Sequence, residues 1–330
     1  MGTIRLQPPE DYELARDVCS YGYFVLAPNR WIVADRALER VLDLGATHAG
    51  GRVVAVRVMQ PGGRGSPLRV QTSHALAAGE KAALRTQLTR MLRLDESAAD
   101  IAAFHAVDPR FRESGRGRLF RSPTLFEDII KTVTSCNVTW PGTVQMNRRL
   151  CEVLGAGIDG ATKDAPRAFP LAGKLARART GTLRARCRVG YRDQRLVELG
   201  RLFSPRGGRP SRTAQVLEDP AITDDDLHEA LIELPGVGPY AAANIMQLLG
   251  RYGRLPLDSE SVRHGRTVLG MSGTSAQVMK RVKEHFAPFG PHAFRSYWFE
   301  LWEFYERKQG PAWMWERDRV SSIFAPSAMT

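Results

Sequence analysis

Two stretches of this chain carry residues that could do chemistry. The first is Leu-Pro-Gly-Val-Gly-Pro-Tyr, residues 234 to 240; the second is Pro-Leu-Asp-Ser-Glu-Ser-Val-Arg, residues 256 to 263. In the first, Gly236 and Gly238 have no β-carbon, so their backbone N–H groups can be approached closely by something bulky. Pro239 suits the first turn of a helix. The N–H groups then point from a helix N-terminus, where partial positive charge gathers and a phosphate is the natural guest. Pro235, Gly236, Val237, Gly238 and Tyr240 are therefore the candidate gripping set. In the second stretch, Asp258 follows Tyr240 by eighteen residues. A lone carboxylate can stabilise positive charge developing beside it and orient an attacking water. Asp258 also stands where the cap of a helix beginning at Ser259 belongs, and the two roles are compatible.

The elements that must hold these residues follow from patterning. Thr223 and Asp226 are spaced as a capping box. Leu227, Ala230, Leu231 and Leu234 then form an apolar face that Pro235 and Gly236 end. Ala241, Ala242, Ile245, Met246 and Leu249 repeat at helical spacing beyond Pro239, so the motif is helix, glycine turn, helix. From Gly79 onward the chain is helical in pattern, with segments expected near 97–105, 123–136, 143–154, 170–178, 183–188, 192–203, 224–233, 239–250, 259–268, 275–286 and 291–308. Residues 20 to 75 instead carry short β-branched or aromatic runs: "YGYFVL", "LERVLDL", "GRVVAVRVM" and "SPLRVQTS". The loop at 61–66 predicts a hairpin between the last two. The expected fold class is α+β, with a small antiparallel sheet-plus-helix domain at 1–110 and a helical body at 111–330. The Gly/Arg stretches at 115–118 and 206–210 are expected to be solvated loops, with phosphate contact as the other reading.

Bulk properties narrow the partners. The 330 residues carry 47 Lys and Arg against 35 Asp and Glu, a net charge of +12, which suits a polyanion. Only seven of the 47 are lysines, a bias that explains the choice of Arg over Lys but not the excess of base over acid. No apolar run approaches the roughly 18 residues of a membrane span. The charged N-terminus is unlike a signal peptide, which points to the cytoplasm, on the nucleoid if the source is bacterial. Cys19, Cys136, Cys151 and Cys187 are scattered and form no Cys-x-x-Cys pair, which argues against zinc ribbons and disulfide frameworks. His105, His264 and His285 make no metal set, so zinc deaminase chemistry is set aside. No metal site is expected.

The hairpin followed by "PLDSESVR" resembles the helix-hairpin-helix DNA glycosylase superfamily, whose Gly/Pro-rich segment leads to one catalytic Asp. "RLFRSPTLFEDIIKTVTSCNVTWPGTVQMNRRLCEVLG", the Gly-Tyr-Arg turn at 190–192 and "FGPHAFRSYWFELWEF" are similar to further family segments. The resemblance covers about residues 20 to 305 and is closest in layout to the 8-oxoguanine and 3-methyladenine enzymes. It implies base excision from damaged double-stranded DNA. Asp258 would be catalytic and Asn137 would enter the gap left by a flipped nucleotide. Trp140, Tyr240, Asn244, Tyr297 and Leu301 would fall near the extruded base. The aromatic stripe Tyr297, Trp298, Trp302 and Tyr305 has packing as its alternative, and Trp313 and Trp315 are expected to pack as a tail. The scattered cysteines leave out the family's iron–sulfur loop, and the resemblance allows a monovalent cation at the hairpin.

Strand-cutting members carry a lysine where this chain has Tyr240, and no lysine occurs between Lys174 and Lys280. The expectation is a monomeric, monofunctional glycosylase that uses water as nucleophile. A cationic, alkylated purine of the 3-methyladenine type is the expected base, with oxidised purine the alternative. A lesion binder without turnover is the alternative of another class.

Overall fold

The computed structural model describes residues 1–205 and 209–316, so Arg206, Gly207 and Gly208 of the second Gly/Arg stretch lie outside the described residues. Five strands form one antiparallel sheet in the order β1-β5-β4-β3-β2. They are β1 (Gly2–Leu6), β2 (Arg30–Ile32), β3 (Ala37–Asp43), β4 (Val53–Met59) and β5 (Leu68–Thr72). Along β4 every second residue is buried, Val54, Val56 and Val58, as a half-covered sheet requires. β4 and β5 pair as the expected hairpin, with Arg57 opposite Gln71. β1 and the three-residue β2 had no alternation long enough to announce them.

"YGYF" is not a strand. Gly22–Val25 is a 3-10 turn, and all four of its residues are buried. Its approach is held from outside: the Trp302 indole donates to the Cys19 carbonyl at 3.1 Å and the Trp298 indole to the Ser20 carbonyl at 2.8 Å. Carbonyls spent on indoles are lost to a ladder.

The helices are α1 (Leu14–Val18), α2 (Ala78–Met91), α3 (Ala98–Val107), α4 (Leu125–Ser135), α5 (Trp140–Leu154), α6 (Ala172–Ala176), α7 (Thr180–Thr182), α8 (Asp193–Phe203), α9 (Arg212–Leu217), α10 (Asp224–Ile232), α11 (Pro239–Leu248), α12 (Ser259–Thr267), α13 (Ser275–Phe286) and α14 (Ala293–Gln309). Leu183–Cys187 is a π-helical turn. None of the described helices is long and apolar enough to cross a membrane.

Apolar side chains gather into two cores. The larger joins the sheet and α2 to α12–α14 and runs across residue 110; the smaller is built from α4 to α11. "GRGR" is no solvated loop: Arg116 and Arg118 are buried, Arg118 on Asp11 at 2.6 Å and Arg116 on Glu306. Trp315 packs against Trp302 at 5.4 Å, and the Trp31 indole donates to the Trp313 carbonyl, so the tail packs as expected.

Between sheet and helices sits a buried charge cluster. Arg40 projects inward from β3 to Asn29 at 2.6 Å and Glu127 at 2.5 Å, and Lys131 reaches the same carboxylate at 2.7 Å. Burial pushes Glu127 upward, yet the two cations hold it below the ordinary carboxylate value. Removing one member of such a cluster strands the others without compensation. Glu127→Ala should therefore lose about 3–5 kcal/mol in urea unfolding; a loss under about 1 kcal/mol, the level of an exposed pair, would contradict this.

Candidate active site

α10 is capped as the sequence implied, Thr223 Oγ1 accepting from the Asp226 N–H at 3.1 Å. It ends at Ile232, and Val237 N–H donates back to the Leu234 carbonyl at 3.0 Å to close the turn. Gly236 has φ +82°, the left-handed region, and a β-carbon there would meet Arg195 Cδ at 2.9 Å. Gly238 differs: its φ of −104° suits any residue, and a β-carbon would meet nothing within 4 Å. The space over Gly238 is open to an outside group.

The ladder of α11 begins with Ala242 N–H donating to the Gly238 carbonyl at 2.8 Å, so the N–H groups before it lie outside the ladder. Its far end is closed by guanidiniums. Arg93 donates to the carbonyls of Gln247 at 2.7 Å and Leu248 at 3.0 Å, and Arg121 to Leu248 at 2.9 Å. Cations at the C-terminus and an uncovered N-terminus suit the helix dipole and leave the turn for an anion.

Asp258 caps α12. Its Oδ1 accepts from the N–H groups of Glu260 at 2.9 Å and Ser261 at 3.1 Å, while its own N–H donates to Ser261 Oγ at 3.2 Å. These contacts leave Oδ2 outside the capping box. Burial raises the pKa of this carboxyl; the helix N–H groups and the nearby Tyr240 hydroxyl pull the other way. Burial, with the Asp258 charge adding to it, also pushes Tyr240 and Tyr297 up, so both stay neutral phenols.

Of the expected residues, Tyr240 and Asp258 are brought together. Asn244 donates to the Tyr240 carbonyl at 3.2 Å and accepts from the Tyr21 hydroxyl at 3.3 Å. Trp140 opens α5 and lies over Gly22, whose missing β-carbon would sit 2.9 Å from the indole. Tyr297 lies behind Asp258, 3% exposed, its hydroxyl 3.1 Å from Ser261 Oγ. Leu301 is 2% exposed and belongs to the larger core. His264 is buried, its Nε2 2.7 Å from Glu300 Oε1. Asn137 is exposed at the turn between α4 and α5 with φ +51°.

Sequence reasoning missed Tyr21 and Trp298 as site residues. Their rings meet at 4.8 Å, which brings the N-terminal segment against the Asn244 side of the site. It also missed Tyr191, a 54% exposed aromatic with the guanidiniums of Arg192 at 4.5 Å and Arg195 at 5.2 Å from its ring. The only available signal was an aromatic between glycine and arginine at 190–192. A cavity of about 400 Å³ on the sheet, lined by Val41, Ala55 and Arg57 among others, shares no residue with this site. The site is placed by the chemistry of its side chains and not by cavity size.

No protein-family model and no curated protein matches the sequence. Solved structures do match in fold. The 3-methyladenine DNA glycosylase of Archaeoglobus fulgidus superposes with a TM-score of 0.63 at 18% identity, over 92% of this chain and 99% of that one. The 8-oxoguanine glycosylase/lyase of Clostridium acetobutylicum without DNA gives 0.54 at 18%, over 80% and 95%. The same enzyme with double-stranded DNA holding cytosine opposite 8-oxoguanine gives 0.54 at 18%, over 83% and 96%. The chain has the fold of these DNA glycosylases over most of its length.

The environment of Asp258 can be measured directly. In a carboxyl-carbon NMR titration its midpoint should lie above the ordinary 3.8, because burial outweighs the hydrogen bonds. Tyr240→Phe removes the hydroxyl that favours the charged form and should move the midpoint higher still. A midpoint unchanged or lower in that variant would show that the phenol does not support the carboxylate.

Proposed function

We propose that this protein is a monofunctional DNA N-glycosylase that hydrolyses the bond between deoxyribose and an alkylated purine. The observation that carries the reading is the pairing of a half-buried Asp258 with the Tyr240 phenol, at the position where a lyase of this fold needs a lysine.

The hairpin grips a phosphate through the uncovered N–H groups at the head of α11. That grip carries the deoxyribose of a flipped nucleotide toward Asp258. As the glycosidic bond stretches, the sugar becomes positively charged, and the carboxylate beside it stabilises that charge. Its cap on α12 holds the carboxylate in one orientation before the reaction begins. A water then attacks the sugar carbon, and the purine departs with the bonding electrons. Tyr240 is neutral and offers no amine to form a Schiff base. Lys131 lies under the Tyr23 ring at 5.4 Å, and its ammonium is held by Glu127.

The walls suit a cationic base. Trp140, Tyr240 and Trp298 are partly exposed aromatics around Asp258 and Asn244, and π-faces attract cations. An alkylated purine already carries positive charge and leaves readily, so one carboxylate suffices. Tyr297 serves this arrangement from behind, through Ser261. Asn137 fills the gap in the duplex.

With enzyme in excess, methylated DNA should release methylpurine and an 8-oxoguanine duplex should release no base. Free 8-oxoguanine without any methylpurine overturns the substrate and leaves the hydrolysis. Asp258→Asn should slow single-turnover release by a factor on the order of a hundred or more, with DNA affinity kept or raised. A near wild-type rate would exclude Asp258 as the catalytic carboxylate.

A further inference from the structure

Arg192 is a charged side chain with 5% of its surface exposed and, among the described residues, no carboxylate at hydrogen-bonding distance. It spends its donors on backbone. Nε donates to the Val133 carbonyl at 3.1 Å and Nη1 to Val189 at 3.3 Å; Nη2 donates to Cys136 and, at 3.4 Å, to Asn137. Three of those four carbonyls belong to the end of α4 and the turn that follows it. That turn places Asn137 at φ +51°, a conformation that asparagine tolerates better than most residues but does not prefer. One guanidinium therefore closes the last carbonyls of a helix and fixes a left-handed residue just beyond it. Its flat face carries the exposed ring of Tyr191 at 4.5 Å.

A planar fork with five N–H donors can hold several carbonyls at once, which an ammonium on a flexible stem cannot do with fixed geometry. The cost of burying the charge is offset by those carbonyl dipoles. Two of the partners of Arg192, Val133 and Val189, belong to the smaller core, and the other two, Cys136 and Asn137, begin the turn.

We propose that Arg192 is the positioning residue of the gap-filling turn: it pre-sets Asn137, and with it Tyr191, in the geometry that enters a duplex at a vacated nucleotide. This rests on the glycosylase reading, since a gap arises only if a nucleotide is flipped. Ordering the turn before binding removes an entropy cost that would otherwise fall on recognition of the gap. No residue of the hairpin is among the hydrogen-bond partners of Arg192. Arg192 thus governs how well damaged DNA is distinguished from undamaged DNA, not how tightly DNA in general is held.

The test uses the full-length protein and a duplex with a tetrahydrofuran abasic analogue flanked by 2-aminopurine, against the same duplex intact. Wild type should prefer the abasic duplex and change the 2-aminopurine fluorescence as the gap is filled. Arg192→Met keeps the volume and loses the donors. It should lose at least about tenfold of that preference, and the fluorescence change, while affinity for the intact duplex stays the same. Asn137→Gly keeps the left-handed turn and removes the side chain, and it should show the same loss. The double variant should be no worse than either single one, because residues acting through one unit are not additive. Full preference in Arg192→Met would overturn the proposal, as would additive losses. If Arg192→Met is poorly folded, Asn137→Gly with undiminished preference overturns it alone. A wild type without preference for the abasic duplex that also releases no base removes the glycosylase reading and this proposal together. A wild type that releases base without such preference removes this proposal only.

Discussion

Everything in the site depends on one carboxylate being kept at the start of a helix in a half-buried place. Asp258 gives Oδ1 to two backbone N–H groups of α12, and Ser261 returns a bond to the Asp258 backbone. Without that cap, burial would favour the neutral acid, and a neutral acid cannot stabilise a cation. With it, part of the burial cost is offset and the side chain is fixed in orientation. The neighbouring phenols keep their protons because the same negative charge and the same burial act on them. Capping, a structural duty, and the charge stabilisation proposed for it, a chemical one, thus fall to different faces of the same group.

The two cores meet where this carboxylate stands. α12 and the segment carrying Tyr21 belong with the larger core, while the hairpin and the head of α11 belong with the smaller. Arg93 and Arg121 tie the tail of α11 to the larger core through its last carbonyls. For the proposed function that joint matters, because the proposed phosphate grip would be useful only if its distance from Asp258 were constant. The buried Arg40, Glu127 and Lys131 cluster does similar work between the sheet and α4.

What could be seen in the sequence is what depends on neighbours along the chain. The glycine turn, the Thr223 cap, the helix begun at Ser259 and the alternation of β4 are local, and each was placed within a few residues. Long-range partners were not visible. "YGYF" has strand composition, but indoles from α14, 278 and 283 residues later, take the nearby carbonyls and the segment becomes a turn. Arg116 and Arg118 sit in a glycine-rich stretch that looks solvated; their carboxylate partners lie far away in sequence. Periodicity identified the buried face of α14, but not which of its residues approach Asp258. So Trp298, noted only as part of a stripe, lies against Tyr21, and Leu301 lies in the larger core. Arg192 was hidden for the same reason, since backbone carbonyls have no side-chain signature.

The central claim is that Tyr240 and Asp258 make this site a hydrolase of the glycosidic bond without a covalent intermediate. Borohydride added during a single turnover on methylated duplex tests it directly, because reduction fixes any Schiff base between protein and sugar. The account predicts released methylpurine, an abasic strand left uncut, and no protein–DNA adduct. A borohydride-fixed adduct that disappears when one lysine is replaced would contradict it.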